Sequence, residues 1–180
     1  MSGAIKPQLT HVGLHTRNMD TQVEFFTKVF GLTVTDEGTF GPDNGRIVFM
    51  SATPDEHHQF VLLEGGPEPD TPRVSQQISF LVNSLDELKE MHDRVTEAGC
   101  NVDRMVTHGN AWSCYFFDPE GNRLELYTHT PWHVPQPHAH PFDLSKPVAE
   151  IIAETEAHVR EIPGFMLAPE RREYISKVIG

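Results

Sequence analysis

The sequence predicts an α+β protein made of two paired βαβββ modules, which form a cupped, barrel-like mixed sheet, followed by a C-terminal helical extension. The first observation is that the order strand, helix and three strands occurs twice along the chain. The second is that the two copies correspond, since His11 matches Gln77 and Gly31 matches Gly99 at nearly the same offset. The third is that one such module is too thin to cover a face of its own sheet, so two modules should pair around a cavity.

The first module spans about residues 9–64. Residues 9–16 alternate apolar with polar or small side chains, as a strand does. A helix is predicted over residues 21–30, because Thr21 and Glu24 have the spacing of a capping box and Gly31 is a natural stop. Three strands are expected after it, over residues 32–35, 46–52 and 59–63.

The second module spans about residues 76–128 and repeats the pattern. A strand over residues 77–82 precedes Ser84 and Glu87, which form another capping box. The helix after them should end at Gly99. Three further strands are expected over residues 101–105, 112–117 and 123–128.

The last two of these strands are joined by the segment DPEGN, residues 118–122, which has the composition of a tight turn. In the strand after it, Leu124 and Leu126 share one face and Glu125 lies on the other. An isolated buried carboxylate is costly, so an inward Glu125 implies a cation, a partner or a wet cavity. The alternative is an exposed Glu125 paired with Arg123 or with a lysine.

After a domain of residues 1–130, residues 131–180 are predicted to form an appendage. Residues 130–147 are rich in proline and histidine, which favours an ordered but irregular strap. Ser145 can cap a helix with Pro147 in its first turn, and a last helix is expected over residues 169–179. These helices should cover the sheet or a neighbouring subunit. We interpret three histidines as strap residues and not as metal ligands, because they lack strand or helix spacing: His133, His138 and His140.

Composition excludes several classes of partner. The chain has 180 residues and a formal net charge of −12, which argues against nucleic acid and against an anionic membrane surface. It has no apolar leader and no apolar run long enough to span a bilayer, so a cytoplasmic location is expected. Cys100 and Cys114 are too few for a disulfide framework and should be reduced.

Two stretches, HVGLHTRNMDTQVEFFTKVFGL and FFDPEGNRLELY, resemble the vicinal oxygen chelate superfamily over about residues 9–130. This superfamily includes glyoxalases, fosfomycin and bleomycin resistance proteins and type I extradiol dioxygenases. The resemblance implies two βαβββ modules cupped around a metal ion. It supports the fold more than a reaction, because the superfamily hosts several chemistries.

A narrower resemblance is to the extradiol ring-cleavage signature, carried by His108, Tyr115, the turn and Glu125, with a departure at Cys114. His57-His58 resembles paired histidines on a first-module strand of these enzymes. The resemblance implies that His11 and Glu125 are metal ligands. It also implies that His58, His108 and Tyr115 are the catalytic residues around the metal.

Gln77 stands where these dioxygenases have a second ligand histidine. The predicted metal set is therefore His11, Gln77 and Glu125. An amide oxygen is a weaker, harder donor than imidazole, so Fe(II) should be held less tightly, and Mn, Zn or Ni are the alternatives. Gln77 could instead close a disabled metal site.

The function that the resemblance implies is a metal-dependent extradiol dioxygenase acting on a catechol-like aromatic, of the biphenyl-2,3-diol class, with O2. The alternatives are a glyoxalase-like isomerase or lyase, and a metal-free small-molecule-binding protein of the resistance type. A homodimer is expected, because two-module chains of this superfamily commonly pair.

Overall fold

The computed structural model describes residues 7–68, 71 and 75–179. The chain divides into two compact units, residues 1–72 and residues 73–180, and each has its own sheet. None of the helices in the described ranges is long and apolar enough to cross a membrane. The domain boundary expected at residue 130 stays a prediction.

The first unit is a four-stranded sheet with one helix. Its elements are β1 (Val12–Thr16), α1 (Met19–Lys28), β2 (Thr33–Phe40), β3 (Gly45–Ser51) and β4 (Phe60–Glu64). The strand order is β1-β4-β3-β2, in which β1 is parallel to β4 and the other pairs are antiparallel. The predicted βαβββ order is confirmed for this unit.

Helix α1 packs an aromatic face on this sheet. Phe26 is fully buried, and its ring centroid lies 4.4 Å from that of Phe60. The helix begins earlier than predicted, and the capping box at Thr21 is wrong. Instead, the side chain of Asn18 accepts a hydrogen bond from the backbone N–H of Thr21 at 3.1 Å, which satisfies one of the free amides of the first turn.

Strand β2 is longer than predicted. The segment after residue 35 contains Gly and acidic residues and was expected to be a loop, but the strand continues to Phe40. All of its residues are exposed, so it has no buried face that could produce an apolar alternation. It is held by its ladder with β3, in which Phe40 lies opposite Gly45 and the register shifts between Val34 and Asp36.

The second unit is a five-stranded sheet with three helices. Its elements are β5 (Ile78–Leu81), α2 (Leu85–Glu97), β6 (Asn101–Thr107), β7 (Ala111–Phe117), β8 (Arg123–His129), β9 (Trp132–His133), β10 (His140–Pro141), α3 (Val148–Arg160), β11 (Met166–Leu167) and α4 (Ala168–Ile179). The five-stranded sheet has the order β10-β6-β7-β8-β5, in which β5 is parallel to β8. A separate two-stranded ribbon pairs β9 with β11.

Helix α2 has the predicted N-cap. The hydroxyl oxygen of Ser84 accepts a hydrogen bond from the backbone N–H of Glu87 at 3.1 Å. The carboxylate of Glu87 accepts one from the backbone N–H of Asn83 at 2.7 Å, one residue before the position that a capping box uses. The hydrogen bonds to Asn83 lower the pKa of Glu87.

Helix α3 is covered by its own unit. Ile151 and Val159 are buried, and the indole N–H of Trp112 on β7 donates to the hydroxyl of Thr155 at 2.9 Å. The buried face of α3 therefore needs no neighbouring subunit to cover it. The expected Ser145 cap is wrong, because α3 has Pro147 at its N-cap and the Ser145 hydroxyl donates to Asp143 instead.

Candidate functional site

A cavity of about 400 Å³ opens on one face of the second unit. It is lined by alternate residues of β7 and β8, because successive side chains of a strand point to opposite faces. β5 and the loops beside it complete the lining. The lining includes Gln77, Ser79, His108, Tyr115, Glu125 and Tyr127.

Glu125 lies on this face, as its strand pattern predicts. Its side chain is 7% exposed, whereas Leu124 and Leu126 are buried on the opposite face. The turn before β8 also has the predicted form: Gly121 has a φ of 79°, and Asp118 accepts hydrogen bonds from the backbone N–H groups of Glu120 and Asn122. The turn fixes where β8 starts and therefore which residues face the cavity.

The carboxylate of Glu125 is bound by two neutral donors. The side-chain amide of Gln77 donates to Oε2 at 2.8 Å, and the hydroxyl of Ser79 donates to the same oxygen. Within the described ranges no cation pairs with Glu125, and Arg123 pairs with Asp103 at 3.1 Å instead. The alternative of an exposed Glu125–Arg123 pair is therefore wrong.

Tyr115 and His108 form a second hydrogen-bonded pair in the cavity. The Tyr115 hydroxyl lies 2.9 Å from Nε2 of His108, and Nδ1 of His108 lies 2.7 Å from the carbonyl oxygen of His138. A carbonyl only accepts, so Nδ1 carries a proton, and Nε2 of the neutral ring is the acceptor for the Tyr115 hydroxyl.

The charge environment of Tyr115 keeps its hydroxyl protonated. Its pKa is raised to about 12, first by burial and then by a hydrogen bond to Glu125. The guanidinium groups of Arg123 and Arg104 lie 4.5 Å and 5.2 Å from the ring centroid and act in the opposite direction. Burial outweighs these cations, so Tyr115 is a proton donor at neutral pH.

One hydroxyl proton of Tyr115 thus serves two acceptors. These acceptors are Nε2 of His108 and the carboxylate of Glu125. The hydroxyl has one proton, so it can donate to only one of them at a time.

In the first unit, the structure brings His11 and His58 together. Their ring centroids are 4.6 Å apart, and Nδ1 of His11 lies 3.1 Å from the Thr10 hydroxyl. Burial lowers the pKa of His58, and the neighbouring His11 and His57 lower it further. His57 and His58 lie in the loop before β4, in the segment that the sequence places ahead of the strand predicted over residues 59–63.

Each predicted metal ligand has a donor atom of a type that metal ions bind. Glu125 offers an anionic oxygen, and the amide nitrogen of Gln77 is used by Glu125, which leaves the amide oxygen as a neutral donor. His11 has its Nδ1 beside Thr10, which leaves Nε2 for a ligand. Among the residues that the structure describes, no three His, Cys, Asp or Glu side chains form a group that could hold a metal ion.

Sequence reasoning missed Ser79 and Tyr127 as cavity residues. Ser79 lies two positions after Gln77 on the same face, and it lies opposite Glu125 in the parallel pairing of β5 with β8. That spacing was the available signal. Cys114 is buried on the other face of β7, and burial raises the pKa of its thiol to about 12, so the reactive thiolate is disfavoured.

Residues 8–126 match the model of the Glyoxalase/Bleomycin resistance protein/Dioxygenase superfamily, which covers well over half of the chain. The chain belongs to this superfamily. The predicted membership in the vicinal oxygen chelate superfamily, the other name of this group, is confirmed.

Two curated relatives are biphenyl-2,3-diol 1,2-dioxygenases 3 and 2 of Rhodococcus globerulus. Each is 28% identical, over 127 and 125 residues, or 68% and 67% of the chain. The matches span 63% and 62% of the dioxygenases, so the chain covers less than two thirds of their length.

A solved structure with the same fold is the fosfomycin resistance protein FosX of Listeria monocytogenes, in complex with Mn(II) and a sulfate ion. It has a TM-score of 0.57 and 18% identity, and the match covers 70% of this chain and 95% of FosX. At this identity the likeness supports the fold alone. The predicted α+β superfamily fold with a C-terminal helical extension is confirmed.

Proposed function

We propose that the protein is a metal-dependent extradiol dioxygenase that cleaves the ring of a catechol-like aromatic, of the biphenyl-2,3-diol class, with O2. The observation that carries the proposal is the buried Glu125 carboxylate, held by Gln77 and Ser79, beside the Tyr115–His108 pair. The relatedness to two biphenyl-2,3-diol dioxygenases supports the same reaction.

The proposed ligands are His11, Gln77 and Glu125, and the proposed metal is Fe(II), with Mn, Zn or Ni as alternatives. Bound iron would supply a site where the two catechol oxygens and O2 meet and exchange electrons. Ser79 fixes the orientation of the Glu125 carboxylate through its hydroxyl.

The other side chains manage protons. His58, whose pKa is lowered, is neutral at pH 7 and can accept a proton from a catechol hydroxyl. Tyr115 can donate its hydrogen bond either to Nε2 of His108 or to an oxygen atom of the substrate in the cavity. The high pKa of Tyr115 keeps this donor protonated throughout turnover.

The test is an assay of ring cleavage in which the bound metal and the supply of O2 are both controlled. The purified chain is loaded anaerobically with Fe(II), mixed with biphenyl-2,3-diol or catechol, and exposed to O2, and the yellow ring-fission product is followed by absorbance. We expect product from the unaltered chain and from the exposed control Glu173→Gln, and none from Glu125→Gln. An iron-loaded chain that forms no product from a panel of monocyclic and bicyclic catechols contradicts the proposal.

A second candidate is a glyoxalase-like isomerase or lyase, and Gln77 favours it, because glyoxalases of this superfamily use a Gln ligand. Such a reaction needs no O2. Turnover of a hemithioacetal or epoxide under argon, with Ni, Zn or Mn bound, would select this candidate over ring cleavage.

We also propose that the chain forms a homodimer in the cytoplasm. Exposed apolar side chains near the C-terminus, at Tyr174, Val178 and Ile179, are compatible with a subunit contact. Size-exclusion chromatography with light scattering measures the mass directly. A monomer at micromolar concentration contradicts the dimer.

A further inference from the structure

A second cavity, of about 550 Å³, lies at the C-terminal end of β8. Its walls come from β8, from the strap at β9 and from the first turns of α4. The side chains that give it chemical character are His129, Trp132, His133, Arg171 and Arg172. We call it the arginine cavity.

The arginine cavity continues the face that carries Glu125. Asn110 lines both cavities. Tyr127 lines the Glu125 cavity and His129 lines the arginine cavity, and their ring centroids are 5.5 Å apart on the same face of β8. From Glu125 to His129 the strand advances by four residues, or about 13 Å. One elongated ligand can therefore reach from one cavity into the other.

The arginine cavity is positively charged in an acidic protein. The chain has a formal net charge of −12, yet no Asp or Glu is among the described residues that line this cavity. In the described part of the chain neither Arg171 nor Arg172 forms an ion pair, and Arg171 contacts the ring of Tyr174. The nearest acidic groups of α4 are engaged, since Glu170 accepts from the backbone N–H of Leu167 and Glu173 pairs with Lys177.

The other side chains that line the arginine cavity also suit an anionic ligand with an apolar part. Burial and the neighbouring Arg171 lower the pKa of His133, so its ring is neutral at pH 7 and keeps one N–H to donate. The indole of Trp132 provides an apolar wall. Guanidinium groups bind planar or tetrahedral oxyanions through paired N–H donors.

We propose that the arginine cavity binds an anionic oxygen group, a carboxylate or a phosphate, at the far end of a substrate whose aromatic head lies in the Glu125 cavity. This rests on the proposed function and narrows its substrate class to elongated catechols with an acidic group roughly 13 Å from the reacting end, the distance that the strand geometry sets. Arg171 and Arg172 are the specificity residues.

The test measures binding and needs neither metal nor O2. p-Terphenyl-4-carboxylate, whose length matches the distance between the cavities, and its neutral matched probe, p-terphenyl-4-carboxamide, are titrated into the full chain by calorimetry. The variant pair Arg171→Gln and Arg172→Gln is compared with Lys177→Gln, which removes the same charge from an exposed site on the same helix. We expect the acid to bind more tightly than the amide, and each Arg variant to weaken the acid by about tenfold or more, as for a lost charge-assisted hydrogen bond. The amide should be unaffected, and Lys177→Gln should change neither probe.

Two further arms complete the test. p-Terphenyl-4-yl phosphate in place of the carboxylate shows which oxyanion the arginine cavity prefers. Tighter binding of either anion than of the amide supports the proposal. The variant Arg171→Lys keeps the charge without the paired donors and should give an intermediate affinity for the acid.

Equal affinities for acid and amide, or an equal loss of both in the Arg variants, would overturn the arginine cavity as an anion site. Because this readout requires no turnover, ring cleavage of a neutral catechol can still succeed in that case. Conversely, a chain that binds the acid through Arg171 but cleaves no catechol refutes the proposed reaction alone.

Discussion

The hydroxyl of Tyr115 lies 2.9 Å from Nε2 of His108, and the other nitrogen of the same ring faces the carbonyl oxygen of His138 at 2.7 Å. The backbone carbonyl can only accept a hydrogen bond, so it fixes the tautomer of His108. With Nδ1 protonated, Nε2 is the acceptor and the tyrosine hydroxyl is the donor of this hydrogen bond.

The variant Tyr115→Phe removes this donor and leaves the ring in place. We expect kcat for ring cleavage to fall by about 10² to 10⁴, the usual contribution of a positioned proton donor, with iron content unchanged. The pKa of Tyr115 is raised to about 12, so the pH profile of the unaltered enzyme should show no loss from Tyr115 ionisation below about pH 11. Tyr174→Phe, exposed on α4, is the control, and equal activity in both variants would remove Tyr115 from the mechanism.

The variant Ser79→Ala tests a positioning residue that does not contact the metal. Without the hydroxyl, Glu125 keeps Gln77 as a donor but is held less firmly. Loss of such a supporting hydrogen bond should weaken metal binding by about 10- to 100-fold. The measurement is the Fe(II) dissociation constant from anaerobic titration, with Ser176→Ala, exposed on α4, as the control. Rescue by Ser79→Thr, which restores the hydroxyl, would separate orientation of Glu125 from a general loss of packing.

The two cysteines should be unreactive in the folded protein. Burial raises the pKa of Cys114 to about 12 and, with a contribution from Asp118, that of Cys100 to about 11. Both thiols are therefore protonated at pH 8, and the thiolate is the reactive form. Mass spectrometry after treatment with iodoacetamide should find little label in the native chain and two labels in denaturant. Rapid labelling of Cys114 in the native state contradicts its burial.

Alanine variants at Gly109 and Gly99 form a matched pair that tests how tightly the turn next to His108 is packed. Both have positive φ, 77° and 76°, so alanine at either position should cost about 1–2 kcal/mol of folding free energy. A Cβ at Gly109 would also lie 2.3 Å from a methyl group of Val134, whereas at Gly99 nothing lies within 4 Å. Gly109→Ala should therefore lose about 1–3 kcal/mol more than Gly99→Ala in urea unfolding. Equal losses would show that the strap yields to the added methyl group.

The sequence predicts the elements of both modules because their patterns are local. The alternation through Leu124, Glu125 and Leu126 placed the carboxylate on the correct face, since the period of a strand allows only two choices. The predicted length of β2 was too short, because an exposed edge strand has no apolar pattern to detect. Asn18 was missed as a cap because Thr21 and Glu24 offered a rival signal nearby.

The resemblance predicted that Gln77, Glu125, His108 and Tyr115 share a site, but neither it nor the sequence pattern predicted the hydrogen bonds in the cavity. Nothing local in the sequence indicates that Gln77 meets Glu125, 48 positions away, or that the carbonyl of His138 meets His108. Such contacts depend on the register of β5 with β8 and on the path of an irregular strap. A prediction from periodicity has no access to either.

The strap also contacts the turn of His108 a second time, since the side-chain amide of Gln136 donates to its backbone carbonyl at 2.7 Å. Both residues that hold His108 from this side, Gln136 and His138, lie beyond the stretch that matches the superfamily, which ends at residue 126. The cavity thus belongs to the shared fold, while the tautomer and the position of His108 are set by the tail. Two members with the same cavity residues and different tails should therefore hold this imidazole differently, and exchanging tails offers a way to tune the chemistry without altering the pocket.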